Sequence, residues 1–354
     1  MRFSQLYIVL FLLITPFAKA QISDNNSIIV LTQKNGVSIR GLSLPNEKTI
    51  WASGSKGSIV YSKDGGIHFN WKQIAGYENR DFRSIHAWND KEAVVAAIEA
   101  PAIVLKTIDG GENWYKVYEN KDSLMFLDAI HFKDDQNGSI VGDPINNHLF
   151  LLNTFDKGEH WQQVKSDYFK SDLNEGEACF ASSSSNMGHS FNYDFIVTGG
   201  NTSRLWINGE ARDLPIIQGG KTTGANSIGI SPNGSNMLIV GGDFAQKERT
   251  ENNIVCLQLY VQIKASMKNI KASNSNWKIK KQIGNPHGFK SSVCFITNKL
   301  VVATGTSGVD ISNNAGKKWD LISTESFHVV QKQPGKMVAF FAGANGRIGY
   351  INFY

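Results

Sequence analysis

Seven polar or charged residues open equivalent short runs along the chain, and their types could bind a ligand. Each run has the form polar, small, apolar, any residue, apolar, as in Arg40-Gly-Leu-Ser-Leu44 and Asp128-Ala-Ile-His-Phe132. Arginine binds anionic or carbonyl groups through a planar fork of N–H donors, and carboxylates accept hydrogen bonds from hydroxyls and amines. We therefore predict a polar ligand or partner site where these runs begin. The aligned residues are Arg40, Arg83, Asp128, Glu177, Asn226, Ser291 and His328.

A second set of polar residues follows the next run along the chain. That run ends in small residues, as in Ile140-Val-Gly142. We expect the loops after it to reach the same side of the molecule as the first set. The residues in those loops are Glu99, Asp143, Asn201, Arg204, Asp243 and Arg347. The alternative is that both sets are solvated at the mouth of a channel and bind nothing.

The elements that must position these residues are short strands in a repeat. From Arg40 to His328 the runs recur about every 48 residues, which is within the range of propeller-blade repeats. Seven copies predict an all-β, seven-bladed β-propeller with four-stranded antiparallel blades. The last blade has room for three strands, so we expect residues 27–32 to supply its fourth strand and to leave no free edge. A Lys-, Asn- and Ser-rich stretch from about Lys264 to Asn276 is predicted as a surface loop.

A turn motif of the form Ser/Thr-x-Asp-x-Gly-x-x-Trp joins strands within the repeat, most clearly from Thr107 to Trp114. Its carboxylate can accept hydrogen bonds from nearby backbone N–H groups, and its hydroxyl can donate to that carboxylate. Its glycine supplies positive φ. We interpret the motif as structural, since a residue repeated from blade to blade cannot mark a single site. The central residues are Asp64, Asp109, Asp156 and Asn314.

This turn motif resembles the Asp-box of bacterial neuraminidases and of propellers related to photosystem II assembly factors. The resemblance covers nearly the whole chain after the first residues, but its motifs concern architecture. It implies a propeller fold and, for the assembly-factor type, a protein that acts by holding protein partners. An arginine patch is a feature of that family, and Arg40 and Arg83 stand in suitable positions for it.

The first twenty residues are typical of a secretory signal peptide. Arg2 precedes a short apolar run, and Ala18-Lys19-Ala20 forms a cleavage site before Gln21. The run is too short for a membrane span, and no later stretch approaches one. We expect residues 21–354 to form a single domain, exported to the periplasm or secreted, with no transmembrane segment after cleavage.

Composition narrows the partner classes. The formal charge of +5 falls by two when Arg2 and Lys19 are removed, and the lysines are scattered, which disfavours a nucleic-acid partner. Cys179, Cys256 and Cys294 are too few for a disulfide framework and are interpreted as buried small residues, with one disulfide left open. We expect no metal and no cofactor, since the chain lacks a dinucleotide, phosphate or metal-protease motif. A monomer is expected.

These features favour an exported non-catalytic binding or assembly propeller that holds a protein or glycan partner of the cell envelope at the channel mouth. The alternative is a glycoside hydrolase of the sialidase type. Arg40, Arg204, Arg347, Asp128 and Glu177 could supply part of its residue set, although the Arg-Ile-Pro signature is missing. A third hypothesis is an oxidoreductase with a cofactor held in the ring.

Overall fold

A computed structural model describes residues 27–259, 277–280 and 284–353, where the regular structure is β-strand apart from one 3-10 turn at Ser166–Tyr168. The predicted signal peptide, its cleavage site and the predicted loop at 264–276 lie outside these ranges. Within them, no helix is long and apolar enough to cross a membrane.

The strands are short, and most of them are buried except at the outer edges of the sheets. In chain order they are β1 (Ile29–Thr32), β2 (Ile39–Ser43), β3 (Ile50–Gly54), β4 (Ser58–Ser62), β5 (Asn70–Gln73), β6 (Phe82–Ala87), β7 (Ala93–Ala97), β8 (Ala102–Thr107), β9 (Tyr115–Asn120), β10 (Leu127–Phe132), β11 (Gly138–Ile145), β12 (His148–Thr154), β13 (Gln162–Gln163), β14 (Glu177–Ala178), β15 (Met187–Ser190), β16 (Tyr193–Gly200), β17 (Arg204–Ile207), β18 (Glu210–Asp213), β19 (Thr223–Ile230), β20 (Asn236–Asp243), β21 (Ile254–Leu259), β22 (Trp277–Lys280), β23 (Ser292–Phe295), β24 (Val301–Gly305), β25 (Gly308–Ser312), β26 (Asp320–Ser323), β27 (Val329–Lys332), β28 (Val338–Ala342) and β29 (Ile348–Asn352).

Four sheets are antiparallel meanders in which each strand pairs with the next along the chain. They are the first sheet (β2–β5), the second sheet (β6–β9), the third sheet (β10–β13) and the penultimate sheet (β23–β26). Their middle strands are buried on both faces, and their last strands are largely exposed. The fold is therefore all-β and built from four-stranded antiparallel units, as the sequence predicts.

The terminal sheet joins the two ends of the described chain. Its order is β1-β29-β28-β27. In the ladder between its first two strands, Ile29 pairs with Tyr350 and Val30 with Gly349. The prediction that residues 27–32 supply the fourth strand of the last sheet is confirmed by this pairing, which covers an edge of β29 that would otherwise be open.

The remaining nine strands, β14 to β22, form one connected sheet. The strand expected from Glu177 to Ala181 is interrupted, because β14 ends at Ala178 and β15 begins only at Met187; both pair with β16. Two halves of this sheet are connected by a single pairing of Gly199 with Gly224. Gly224 has φ +128, and an added Cβ would lie 2.4 Å from the Cα of Gly199, so only glycine permits this approach.

Apolar clusters lie between successive sheets rather than inside them. Trp51 of the first sheet shares a cluster with Leu105 of the second sheet, and Val60 shares one with Phe340 of the terminal sheet. Comparable clusters connect the other neighbouring sheets. Each sheet therefore buries both faces, which explains why the middle strands are continuous apolar runs.

The Asp-containing turns make the hydrogen bonds that the sequence analysis expects. Asp109 Oδ1 accepts the N–H groups of Glu112 and Asn113, each at 3.0 Å, and the Thr107 hydroxyl donates to it at 2.9 Å. The N–H of Gly111, at φ 78, donates to Thr107 Oγ1 at 3.0 Å. These bonds, the Asn113 N–H first, lower the pKa of Asp109 to about 2. Comparable bonds recur at Asp64, Asp156 and Asn314.

Candidate functional site

A pocket of about 480 Å³, here called the polar pocket, lies where the first strands of several sheets meet. Its lining comes from residues that are far apart in the sequence. Seven of the residues predicted for the site lie in it: Arg40, Arg83, Asp128, Asp143, Asn226, Ser291 and His328. The structure thus brings these side chains to one place, and their role in binding stays a prediction.

Four of these side chains stand at β-bulges. In β2 the ladder to β3 shifts by one residue at Arg40, and equivalent shifts occur at Arg83 in β6, Asp128 in β10 and Asn226 in β19. A bulge inserts one residue without a ladder partner, bends the strand and can turn a side chain to a new direction. The same device in four strands explains how polar residues enter one pocket from strands that are otherwise apolar.

Arg40 and Arg83 give the polar pocket an excess of positive charge. Arg83 Nε donates to Asp81 Oδ2 at 2.8 Å, whereas the Arg40 guanidinium donates to the carbonyl oxygen of Ser182 at 3.1 Å. Burial, and then the charge of Arg83, lower the pKa of Arg40 to about 10, so it remains protonated at neutral pH. Arg83 is therefore ion-paired with a carboxylate, whereas Arg40 donates to a backbone carbonyl.

His328 contributes an uncharged imidazole ring to the lining of the polar pocket. It is buried, just before β27, and its carbonyl oxygen accepts the Ser291 hydroxyl at 2.6 Å. Burial, and then the positive charges of Arg40, Arg83 and Arg347, lower the pKa of His328 to about 3. At neutral pH the ring is uncharged and does not add to the positive charge.

Asp128 and Asp143 form a pair of interacting carboxyl groups in the same pocket. Asp128 is fully buried, and neither of its oxygens has a hydrogen-bond partner among the described residues. Burial, and then the charge of Asp143, raise the pKa of Asp128 well above its usual range. Burial also raises the pKa of Asp143 to about 6. The pair therefore holds protons under conditions in which an exposed aspartate would be ionised.

Residues 179–186, here called the crossing segment, border the pocket and connect distant sheets. Ser182 accepts the hydrogen bond from Arg40 of the first sheet, and the Ser183 hydroxyl donates to the carbonyl oxygen of Ser291 at 2.6 Å. This segment occupies the gap between β14 and β15. The sequence analysis expected a continuous strand from Glu177 to Ala181 and missed this segment. The signal was the polar run of four serines at 182–185 within an apolar pattern.

Aromatic rings form the apolar part of the lining. The ring centroids of Phe180 and Phe244 are 5.9 Å apart, and those of Phe244 and Phe289 are 6.1 Å apart, both edge to face. Such rings bury apolar area beside the few polar groups that fix a ligand's orientation. The sequence analysis did not select them. The four rings in the lining are Phe126, Phe180, Phe244 and Phe289.

Glu177 and Arg204 are not in the lining of the polar pocket but bind each other. Arg204 Nη2 lies 2.6 Å from Glu177 Oε2, and the side chains are 8% and 0% exposed. Arg204 also donates to the carbonyl oxygen of Asp172 at 2.8 Å. Glu177 instead lines a neighbouring cavity that shares Asp143 and Ala178 with the polar pocket, and the role of both residues in binding stays a prediction.

Asp243 and Arg347 also lie outside the lining. Asp243 is buried and accepts the hydroxyl of Thr222 at 2.7 Å. Arg347 donates to the carbonyl oxygen of Ser326 at 2.8 Å and to Glu325 at 3.3 Å. Both side chains hold neighbouring loops, although the charge of Arg347 still acts on His328.

His86 and His131 occupy one equivalent place in neighbouring sheets, and His86 packs against aromatic rings. His86 stacks on Phe132 with ring centroids 4.5 Å apart. Burial lowers the pKa values of His86 and His131 to about 3 and about 4. The part of the chain that the structure describes contains no group of three or more His, Cys, Asp or Glu that could hold a metal. Cys179, Cys256 and Cys294 are free thiols.

Comparison with known proteins identifies the fold. No family model and no curated protein matches the chain. Two similar solved structures are of YCF48. One, YCF48 bound to D1 peptide, has a TM-score of 0.59 and 15% identity over 93% of this chain and 97% of that chain. The other, YCF48 from Cyanidioschyzon merolae, has a TM-score of 0.61 and 14% identity over 92% of this chain and 99% of that chain. The chain shares their fold, a β-propeller.

Proposed function

We propose that this protein is an exported, non-catalytic binding propeller that holds a segment of a protein partner in the polar pocket. The architecture we propose is a closed ring of seven blades, with the nine-stranded sheet contributing two of them. The cyclic order of the apolar clusters supports it, since the clusters link each sheet to the next and the terminal sheet back to the first.

One observation carries the proposal: the positive charge of Arg40 and Arg83 exceeds what the nearby residues neutralise. Asp81 pairs with Arg83, Asp128 holds its proton, and within the described part of the chain the Arg40 guanidinium donates to a backbone carbonyl rather than to a carboxylate. A half-buried guanidinium gains most from a carboxylate, which can accept two parallel hydrogen bonds. The fitting partner is a peptide that presents an acidic side chain or a terminal carboxylate, with apolar residues against the phenylalanine rings.

The comparison adds support for a peptide. A propeller of the same fold, YCF48, has been solved bound to D1 peptide. A pocket of about 480 Å³ is also within the usual range for specific binding sites. The partner of this chain would meet the protein after export, because residues 1–20 are proposed to be removed as a signal peptide; N-terminal sequencing of the secreted or periplasmic form checks that step.

The test compares capture by wild type and by the Arg40→Gln/Arg83→Gln variant. The matched control, Arg249→Gln/Lys221→Gln, removes the same charge from exposed positions. Each protein is immobilised, exposed to solubilised cell envelope, and the retained proteins are identified by mass spectrometry. We expect wild type and control to enrich the same partner, and we expect the pocket variant to retain at least tenfold less of that partner. Equal enrichment by all three proteins, or retention of glycan alone, would reject the proposal.

A further inference from the structure

The carboxyl pair of the polar pocket, Asp128 and Asp143, takes no part in the proposed binding of an acidic group. Asp128 is fully buried at a bulge, lines the pocket, and has no hydrogen-bond partner for either oxygen among the described residues. Buried polar groups normally have partners, and buried carboxylates are normally paired with a cation. A buried carboxyl group that lines a cavity without a hydrogen-bond partner is therefore a candidate for contact with a ligand.

Asp143 extends this feature to the edge of the pocket. It lies in β11, and its Oδ1 also has no hydrogen-bond partner among the described residues. Asp143 and Ala178 line both the polar pocket and a neighbouring outer cavity of about 660 Å³. The outer cavity is bordered by Leu124, Glu175 and other residues. The two spaces therefore adjoin at Asp143, and a chain that extended from one to the other would pass the carboxyl pair.

The groups around the pair do not neutralise it. Arg83 attracts Asp128 but is already ion-paired, and the backbone N–H of Cys179 donates to Asp143. Glu177 on β14 is bound by its own arginine. Phe126 and Phe180 line the same pocket, and aromatic faces attract cations. Among the described residues, no basic side chain forms a hydrogen bond or ion pair with either carboxyl, and a basic group of a ligand would supply one.

We propose that Asp128 and Asp143 are a binding subsite for a lysine or arginine side chain of the partner peptide. This inference rests on the proposed function and deepens it: the ligand is a segment with an acidic group for Arg40 and Arg83 and a basic residue beside it. Ionisation of the pair accompanies binding of the basic group. Because the pKa of Asp143 is raised to about 6, the preference for a basic residue is stronger at pH 8 than at pH 5.

The experiment uses a library of random heptapeptides with free carboxyl termini, selected on the immobilised protein and read by sequencing. We expect wild type to enrich peptides that carry both an acidic group and Lys or Arg. The Asp143→Asn variant, with Asp128→Asn/Asp143→Asn as a second form, keeps the acidic preference and loses the basic one. Arg40→Gln/Arg83→Gln does the reverse. Asp213→Asn, on an exposed outer strand, is the control.

The best wild-type peptide is then remade with norleucine in place of its basic residue. We expect about tenfold weaker binding to wild type at pH 8, little change at pH 5, and little change with Asp143→Asn at either pH. Peptides enriched without any basic preference, or an unchanged preference in Asp143→Asn, would overturn the inference and leave the proposed function standing. No peptide enrichment by wild type would overturn both.

Discussion

Replacing Asp143 by Asn should make the protein more stable at high pH, because this carboxyl is more easily protonated in the folded chain than in the unfolded one. Its folded pKa of about 6, against an ordinary 3.8, is caused first by burial. Between these values the folded chain holds a proton that the unfolded chain has lost, so the free energy of unfolding falls as pH rises. The difference in pKa corresponds to about 3 kcal/mol.

The perturbation is measured as the difference in unfolding free energy between Asp143→Asn and wild type. Asparagine cannot ionise, so its advantage should grow by about 2 to 3 kcal/mol from pH 4 to pH 8. Urea denaturation followed by tryptophan fluorescence gives both values at each pH. Asp213→Asn, which is exposed, should show no such growth.

Coupling to Asp128 provides a second readout. Removing the charge of Asp143 also lowers the pKa of Asp128, so the gain should be smaller when Asp128 is already Asn. A difference between Asp143→Asn and wild type that does not change with pH, or that shrinks as pH rises, would refute the assignment of a buried, proton-holding carboxyl pair.

Two further predictions concern the parts that hold the site. Arg204→Met leaves Glu177 buried without its partner and should lower the free energy of unfolding in urea by about 3 to 5 kcal/mol. Arg347→Met, whose partner Glu325 is exposed, should lower it by about 1 kcal/mol or less. Equal losses would mean that burial of the Glu177–Arg204 pair does not matter for stability. Thr107→Val removes the acceptor of the buried Gly111 N–H and should lower the free energy of unfolding by about 1 to 3 kcal/mol. The exposed Thr324→Val should lower it by less than about 0.5 kcal/mol, and thermal unfolding compares the two variants. An unchanged stability of Thr107→Val would contradict the structural role of that turn.

The regular part of the fold could be predicted because its signals are local. The turn at Thr107 to Trp114 closes its hydrogen bonds within a few residues, so its sequence determines its shape wherever it stands. The same locality makes the apolar runs readable as strands. The unpaired strand at 27–32 could be assigned to the last sheet because that sheet was short of one strand, and β1 pairs there.

The candidate site was predictable only in part, because bulges and interruptions depend on contacts between distant residues. Alignment selected Arg40, Arg83 and Asp128, but nothing in the alignment indicates that each is the extra residue of a bulge. The same alignment placed Glu177 at the pocket, where the structure instead gives it a buried partner from another strand. The sequence analysis did not select the phenylalanine rings, because an apolar residue in a strand gives the same sequence pattern whether it faces a core or a cavity.

The sequence by itself determined the repeat, the strands and the turns between them, because these follow from hydrogen bonds and side-chain periodicity over a few residues. The tertiary structure alone decided that residues 179–186 leave their strand to border the pocket, and that Gly199 and Gly224 join two groups of strands. It also decided that Asp128 is buried, that Asp143 is half-buried, and that both line a pocket with two arginines. Charge, burial and unmet hydrogen bonds belong to the surroundings of a residue, and those surroundings exist only after distant strands have packed together.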